Sequence, residues 1–163
     1  MTPAVFYTDI VAPGLQRMTA PFIEIPVTTA AQVLVMAIAG QESGWMARRQ
    51  NGGPARGYWQ FERYGGVSEV LQKCSRQMGA LCAMLDVPPD ADVIFEAMAW
   101  NDPLACGMAR LLLWGDPAPL PTVGDVNGGY DYYIRNWRPG VPRPSDWPGN
   151  YEQAMKAVGL LDA

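Results

Sequence analysis

One carboxylate, Glu42, follows an almost unbroken run of small and apolar residues that begins at Ala30. A helix that is apolar on nearly every face is a buried helix, so the run predicts a core helix that carries Glu42 at its C-terminal end. The helix dipole and partial burial beside Trp45 both disfavour an ionised carboxylate there. Such a carboxyl group stays protonated near neutral pH, as a general acid must. The alternative is a glutamate that only marks the solvated end of a helix.

Composition narrows the chemistry that can accompany Glu42. The chain has no histidine, which removes the common general base, the Ser–His and Cys–His nucleophile systems and the usual zinc ligand. Catalysis would rest on other groups such as carboxylates and tyrosines, and neither a cofactor nor a metal is expected. Twelve basic against sixteen acidic residues give a net charge of −4, which argues against a general nucleic-acid binder.

Cysteine usage and the N-terminal segment bear on the compartment. Cys74, Cys82 and Cys106 lie in apolar segments and are expected to be buried apolar residues rather than a disulfide framework. The N-terminus lacks a basic region followed by a long apolar run, and no stretch is long enough to span a membrane. We expect a single domain, residues 1–163, made in the cytoplasm without a signal peptide and not inserted in a membrane.

Helical periodicity predicts a mainly α fold. The core helix is expected over about Thr29 to Ala47, capped by Thr28 or Thr29, with Gly44 suited to a left-handed helix end. Residues 48–66 break the pattern with five glycines and a proline but are rich in arginine and aromatic residues, which favours at most a small β-hairpin. Further helices are predicted over residues 67–86, from Asp90 to about Trp100, from a cap at Asp102 to Trp114, from Thr122 or Asp125 through Trp137, and over about Tyr151 to Leu161.

Two motifs resemble a known family. The sequence ESGW at residues 42–45, followed by GYWQF at residues 57–61, resembles the Glu-Ser…Gly-Leu-Met-Gln pattern of the lysozyme-like superfamily, especially lytic transglycosylases and phage peptidoglycan-degrading muramidases. Asp102-Pro103 and the GMARL segment at residues 107–111 are similar to a later helix of that family. The resemblance covers about residues 30–151. It implies a lysozyme-like helical domain that cleaves the MurNAc–GlcNAc glycan of peptidoglycan.

The resemblance also implies roles for individual residues. Glu42 would protonate the glycosidic oxygen, and Ser43 would support the acid or the substrate, although Ser43 is equally explained as a hydrogen bonder at the helix end. Gln60 would contact an N-acetyl group or a sugar hydroxyl. Tyr58 would offer a flat face to a pyranose ring.

The chain departs from the family pattern at several positions. Tyr58 and Trp59 replace Leu-Met, and the bulky Trp59 and Phe61 are expected in the core rather than in a sugar subsite. The family's tyrosine on the later helix is Arg110 here. Three tyrosines of the next helix are candidates to replace it, at least one of which is expected to be core: Tyr130, Tyr132 and Tyr133, of which Tyr130 and Tyr133 are assigned to substrate binding.

A second carboxylate would decide the reaction type. A hydrolase usually needs two acids that flank the bond, whereas in a lytic transglycosylase the substrate's own C6 hydroxyl closes an anhydro ring. Glu62 is the nearest candidate partner, and its alternative is a solvated charge paired with Arg56 or Arg63. Asp102 is better explained as a helix cap. No aspartate lies in residues 43–61, where many lysozymes place their second acid. This tilts the expectation toward the single-acid transglycosylase reaction, or toward an inverting hydrolase that uses an unusual group to position water.

Four arginines accompany the proposed cleft: Arg48, Arg49, Arg56 and Arg63. Peptidoglycan carries carboxylates on its lactyl and peptide groups, so local positive charge would favour binding, and Arg56 is assigned to the substrate. Ordinary solvation and pairing with the chain's own acids is the alternative.

The resemblance predicts a phage-encoded enzyme whose partner is bacterial peptidoglycan, acting in the periplasm and cell wall or carried in a virion with other virion proteins. One alternative is a structural phage-particle protein that kept the fold without activity. Another is a chitinase-like lysozyme that acts on GlcNAc polymers.

Overall fold

A computed structural model describes residues 1–162, and it is mainly helical, which confirms the predicted fold class. A π-helical turn, Tyr7–Val11, leads into α2, and the segment Arg63–Val67, whose backbone is kinked at the non-helical Gly65, leads into α4. The α-helices are α1 Pro3–Phe6, α2 Ala12–Arg17, α3 Thr29–Ser43, α4 Ser68–Lys73, α5 Ser75–Met84, α6 Ala91–Ala97, α7 Asp102–Trp114, α8 Val126–Trp137 and α9 Trp147–Val158.

Helix α3 lies at the centre of the molecule. Ten of its fifteen residues are buried, from Ala31 to Gln41, as its uniformly apolar sequence predicts. It packs most extensively against α9 and also contacts α7. Because α3 is held by neighbours on several sides, its C-terminal end, which carries Glu42, has a fixed position in the fold.

The two ends of α3 follow the expected capping chemistry. The Thr28 hydroxyl accepts a hydrogen bond from the Ala31 amide at 3.2 Å, and Gly44 adopts a left-handed conformation with φ of 61°. The expected extension to Ala47 is wrong, because the left-handed Gly44 and Trp45 turn the backbone out of the helix.

Other predicted helix boundaries need correction. The helix expected over residues 67–86 is broken at Cys74, whose φ and ψ of −129° and 35° are not helical. Asp90 caps α6 as predicted. The cap of α7 is Asn101, which accepts from the Leu104 amide. The assignment of Asp102 as a cap is therefore wrong, and its carboxylate instead pairs with Arg48 at 2.8 Å.

The two last helices show one confirmation and one correction. Asp125, rather than Thr122, caps α8 by accepting from the Gly128 amide. Helix α9 begins at Trp147 and not near Tyr151, because Pro148 lies in its first turn, where proline is tolerated.

The glycine-rich segment 48–66 forms a compact loop. Within the described residues it contains two isolated antiparallel bridges, Arg49 with Arg56 and Arg56 with Phe61, instead of a regular hairpin. The loop packs against the middle of α3, since the indole of Trp59 donates to the Val35 carbonyl at 2.8 Å.

No helix among residues 1–162 combines the length and apolarity needed to cross a membrane.

Gly40 makes room for the turn that follows α3. The Trp45 ring lies so close that a Cβ at residue 40 would be 2.3 Å from the ring carbon Cζ2, and the indole nitrogen donates to the Met36 carbonyl. We expect Gly40→Ala to lower the free energy of unfolding by about 1–3 kcal/mol, because the ring must move. Urea denaturation measures the change.

Gly79 in α5 provides a matched control for this substitution. A Cβ added there meets nothing within 4 Å, and alanine is a better helix former than glycine. Gly79→Ala is therefore expected to raise the free energy of unfolding by about 0.5–1 kcal/mol. A Gly40→Ala variant as stable as the wild type would contradict the tight contact with Trp45.

Candidate active site

Two cavities meet at the C-terminal end of α3. The first, which we call the first lobe, has a volume of about 560 Å³ and lies between the 48–66 loop and the segment around Arg138. The second lobe, of about 510 Å³, extends past Ser43 toward Asn150. Four residues line both lobes: Glu42, Gln50, Gln60 and Arg143. The lobes together form a groove with Glu42 near its middle.

Glu42 is held by a tyrosine from α8. The Tyr133 hydroxyl donates a hydrogen bond to Glu42 Oε1 at 2.7 Å. Tyr133 is itself buried, and its ring stacks on Trp147 with centroids 5.3 Å apart. Packing of that ring fixes the hydroxyl, so the Glu42 carboxyl group has a defined orientation toward the groove.

The surroundings of Glu42 favour its protonated form. Burial raises the pKa of Glu42 above its ordinary value, and the nearby Glu62 charge acts in the same direction. The Tyr133 hydrogen bond and the positive charge of Arg143 oppose the rise without cancelling it. The predicted pKa increase is thus confirmed in direction, with burial as the leading cause.

Tyr133 remains a hydrogen-bond donor under ordinary conditions. Burial and then the charge of Glu42 raise the pKa of the Tyr133 hydroxyl, so it does not ionise near neutral pH. A neutral phenol beside the acid can donate to the ionised carboxylate, which stabilises the charged form of Glu42.

We expect Tyr133→Phe to raise the pKa of Glu42, because it removes a hydrogen bond that stabilises the ionised carboxylate. The substitution keeps the ring against Trp147, so the fold should persist. A titration of the Glu42 carboxyl carbon by NMR would show the midpoint moved to higher pH.

Tyr130→Phe is the matched control for this titration. The ring centroids of Tyr130 and Tyr133 are 6.0 Å apart, but the hydroxyl group that donates to Glu42 is that of Tyr133. The control should leave the Glu42 midpoint in place. A midpoint that Tyr133→Phe leaves unchanged or lowers would rule out the assigned hydrogen bond.

Glu62 lies in the first lobe with Glu42 and is exposed. The alternative that it pairs with Arg56 or Arg63 is wrong, because Arg56 pairs with Glu96 at 3.1 Å and Arg63 with Asp92 at 2.5 Å. Among residues 1–162, Glu62 has no ion-pair partner. It is therefore a second carboxylate in the groove, close enough for its charge to affect Glu42.

Gln60 also lines the groove, as predicted, on a backbone with φ of 49°. Its amide nitrogen donates to the carbonyls of Gly57 at 2.8 Å and Ala47 at 3.3 Å. These two bonds fix the side chain by its nitrogen. The amide oxygen accepts no hydrogen bond from the described part of the chain and remains an acceptor for a ligand.

Ser43 lines the second lobe, but its hydroxyl is committed to the helix. It donates to the Ala39 carbonyl at 3.1 Å, a common back-bond of serine within helices. This geometry matches the alternative of a hydrogen bonder at the helix end. The structure shows no hydrogen bond from Ser43 to Glu42 among the described residues.

Four predicted substrate-binding residues lie outside both lobes, so these assignments are corrected: Arg56, Tyr58, Tyr130 and Tyr133. Tyr133 is buried and bonds Glu42 instead of lining the groove. Tyr58 is 2% exposed and packs edge-on against Phe6. Arg56 turns away from the groove to Glu96. Tyr130 is half-buried with its ring against Trp147. In each case packing or an ion pair holds the side chain away from the groove.

The aromatic residues that follow Tyr58 are core residues, as expected. Trp59 is fully buried and Phe61 is 2% exposed, although Phe61 also forms part of the floor of the first lobe. The Trp59 carbonyl accepts from the Trp137 indole at 3.0 Å. The GYWQF segment thus anchors the loop in the core and leaves Gln60 at the groove.

The arginines expected near the cleft mostly pair elsewhere. Arg48 pairs with Asp102, and Arg63 with Asp92. Arg49 lines the second lobe and lies 3.7 Å from Glu96. Of the four arginines predicted near the cleft, Arg49 alone reaches either lobe of the groove.

Sequence reasoning missed Arg143, which comes from the proline-rich segment before α9. Its guanidinium donates to the backbone carbonyl of Gln41, and the Gln41 amide donates back to the Arg143 carbonyl at 2.9 Å. Asn150 completes the cluster by donating to Gln41 Oε1 at 2.9 Å. The one available signal was Gln41, a polar residue at the end of a largely apolar run.

No protein-family model, curated protein or solved structure matches this chain. The resemblance to the lysozyme-like superfamily therefore remains a prediction from the motifs. Among residues 1–162 no cluster of three potential ligands could hold a metal ion.

Proposed function

We propose that the protein cleaves the MurNAc–GlcNAc glycan strand of bacterial peptidoglycan, with Glu42 as the general acid. The observation that carries this proposal is the position of Glu42. It is a partly buried carboxyl group with a raised pKa, located where two lobes of one groove meet. A polymer in the groove would have sugar units on both sides of this acid.

The proposed step is protonation of the bond to be broken. Glu42 gives its proton to O4 of the leaving GlcNAc, and the bond between that oxygen and C1 of MurNAc breaks. Positive charge develops at C1 as the leaving group departs. Tyr133, which donates to Glu42 Oε1, stabilises the carboxylate that proton transfer creates.

Glu62 supports hydrolysis as the way to complete the reaction. As an exposed carboxylate in the same lobe, it would take a proton from a water molecule whose oxygen bonds to C1. This role is favoured because Arg56 and Arg63 pair with Glu96 and Asp92 instead of with Glu62. In the transglycosylase alternative, the C6 hydroxyl of MurNAc attacks C1, gives its proton to the Glu42 carboxylate left by the first step, and forms a 1,6-anhydro ring.

Gln60 is the proposed contact for sugar polar groups. Its amide oxygen is an acceptor for the N–H of an N-acetyl group or for a hydroxyl. Because its amide nitrogen is held by two backbone carbonyls, the acceptor is presented in one orientation.

Clearing of outer-membrane-permeabilised Gram-negative cells tests the proposal. The wild type should lower the turbidity, and folded Glu42→Gln should not. Folded wild-type protein that clears nothing would overturn the proposal and favour the structural phage-particle alternative. Release of chitin oligomers without clearing would favour the chitinase-like alternative.

A further inference from the structure

Arg143 lies where both lobes of the groove meet. Its side chain is half-exposed, and its charge is close enough to lower the pKa of Glu42. An arginine in this position would contact a ligand that occupies the middle of the groove.

The protein uses only part of the hydrogen-bonding capacity of Arg143. One terminal nitrogen, Nη2, donates to the Gln41 carbonyl. The other, Nη1, lies 3.5 Å from Asp146, which is longer than the ~2.7–2.9 Å of a strong charge-assisted bond. A guanidinium group has five N–H donors, so donors remain for an anionic ligand.

Other cations of the groove are more fully committed or lie on one side of it. Arg138 lines the first lobe and pairs with Glu69, which also pairs with Lys73. Arg49 lines only the second lobe. Arg143 is therefore the arginine that borders both lobes beside the acid.

We propose that Arg143 binds a carboxylate on the 3-O-lactyl substituent of MurNAc, either the lactyl carboxylate itself or one on an attached peptide. The inference rests on the proposed function, since it names a feature of that substrate. Arginine suits the task because its planar donors match a carboxylate. A neutral GlcNAc polymer has no group of this kind.

Binding of the carboxylate would also affect the acid. Glu42 is faced by Tyr133 from α8, by Glu62 from the loop and by Arg143 from the segment before α9. An anion on Arg143 would offset a positive charge that favours ionised Glu42. The bound substrate would thereby help keep the acid protonated for its own cleavage.

Calorimetric binding to the Glu42→Gln protein tests the inference without turnover. The ligands are a GlcNAc–MurNAc tetrasaccharide with free lactyl carboxylates, its carboxamide derivative, and a peptide-bearing form. We expect at least one carboxylate ligand to bind about 10-fold more tightly than the carboxamide. Adding Arg143→Gln to this protein should abolish the difference in affinity between the carboxylate and carboxamide ligands. The carboxylate ligand that loses affinity identifies whether the lactyl or a peptide carboxylate is bound.

Two further variants separate binding from structure. Arg143→Lys keeps the charge and should retain part of the preference. Arg138→Gln removes another cation of the groove and should leave the preference intact. Equal affinity for carboxylate and carboxamide ligands, a preference that survives Arg143→Gln, or no binding of any ligand would each overturn the inference.

Clearing of permeabilised cells by the wild type, measured in parallel, keeps the two proposals apart. Clearing without an Arg143-dependent preference would overturn this inference alone. Lack of clearing would overturn the proposed function, whatever the binding results.

Discussion

Glu42→Gln is expected to reduce peptidoglycan turnover by about 100- to 10,000-fold, the usual contribution of a general acid. Glutamine has the shape of glutamate but cannot donate the proton to the leaving oxygen. Its amide oxygen can still accept a hydrogen bond from the Tyr133 hydroxyl, which in the wild type donates to Glu42 Oε1. The loss should therefore appear in turnover rather than in the fold, as measured by release of soluble fragments and by circular dichroism.

Glu152→Gln is a suitable control for this variant. Glu152 lies on α9, is exposed and pairs with Lys156, and it lines neither lobe of the groove. The control should retain wild-type activity. If folded Glu42→Gln were as active as the wild type, Glu42 would not be the acid.

Glu62→Gln is expected to lower hydrolytic turnover by about 100-fold, because the variant has no base to accept a proton from water. A second effect concerns pH. The charge of Glu62 raises the pKa of Glu42, so its removal lowers that pKa and leaves less Glu42 protonated at neutral pH. The alkaline side of the activity profile should move to lower pH, opposite to the change in the Glu42 titration expected for Tyr133→Phe.

Asp92→Asn is the control for Glu62→Gln. Asp92 is an acid near the same loop that pairs with Arg63 and lies outside both lobes. It should change neither turnover nor the pH profile. Unchanged activity in Glu62→Gln would exclude Glu62 as the base and favour a reaction in which Glu42 is the single acid.

The burial of α3 and the position of Glu42 were predictable because local rules govern both. An apolar run long enough for about three helical turns has to be buried, and Thr28 and Gly44 mark the ends of the helix that contains it. Fully buried Trp59 was predictable for a similar reason, since a large apolar ring in a glycine-rich loop is best placed in the core.

Tyr133 and Glu62 show where local rules are insufficient. Three tyrosines in four residues share similar sequence surroundings, and only tertiary packing selects Tyr133 for Glu42, while Tyr132 donates to backbone carbonyls. For Glu62, the nearest arginines in sequence were plausible partners. In the folded protein those arginines form ion pairs with Glu96 and Asp92 on α6.

Arg143 was missed because its role depends on contacts distant in sequence. It lies 102 positions from Gln41, to which it is hydrogen-bonded through both side chains and backbone. Nothing in a proline-rich surface segment indicates that one of its arginines reaches the end of the core helix. Residues of this kind emerge only when the packing of α9 against α3 is known.

Mass spectrometry of purified peptidoglycan digested by the wild type is the sharpest test of glycan cleavage by Glu42. We predict soluble fragments that end in MurNAc at the cleaved bond, as reducing sugars if water is added through Glu62, and none from Glu42→Gln. Fragments lighter by one water would retain Glu42 as the acid but replace hydrolysis with anhydro-ring formation. Glycan strands left intact by folded wild-type protein would rule out cleavage of peptidoglycan by this protein.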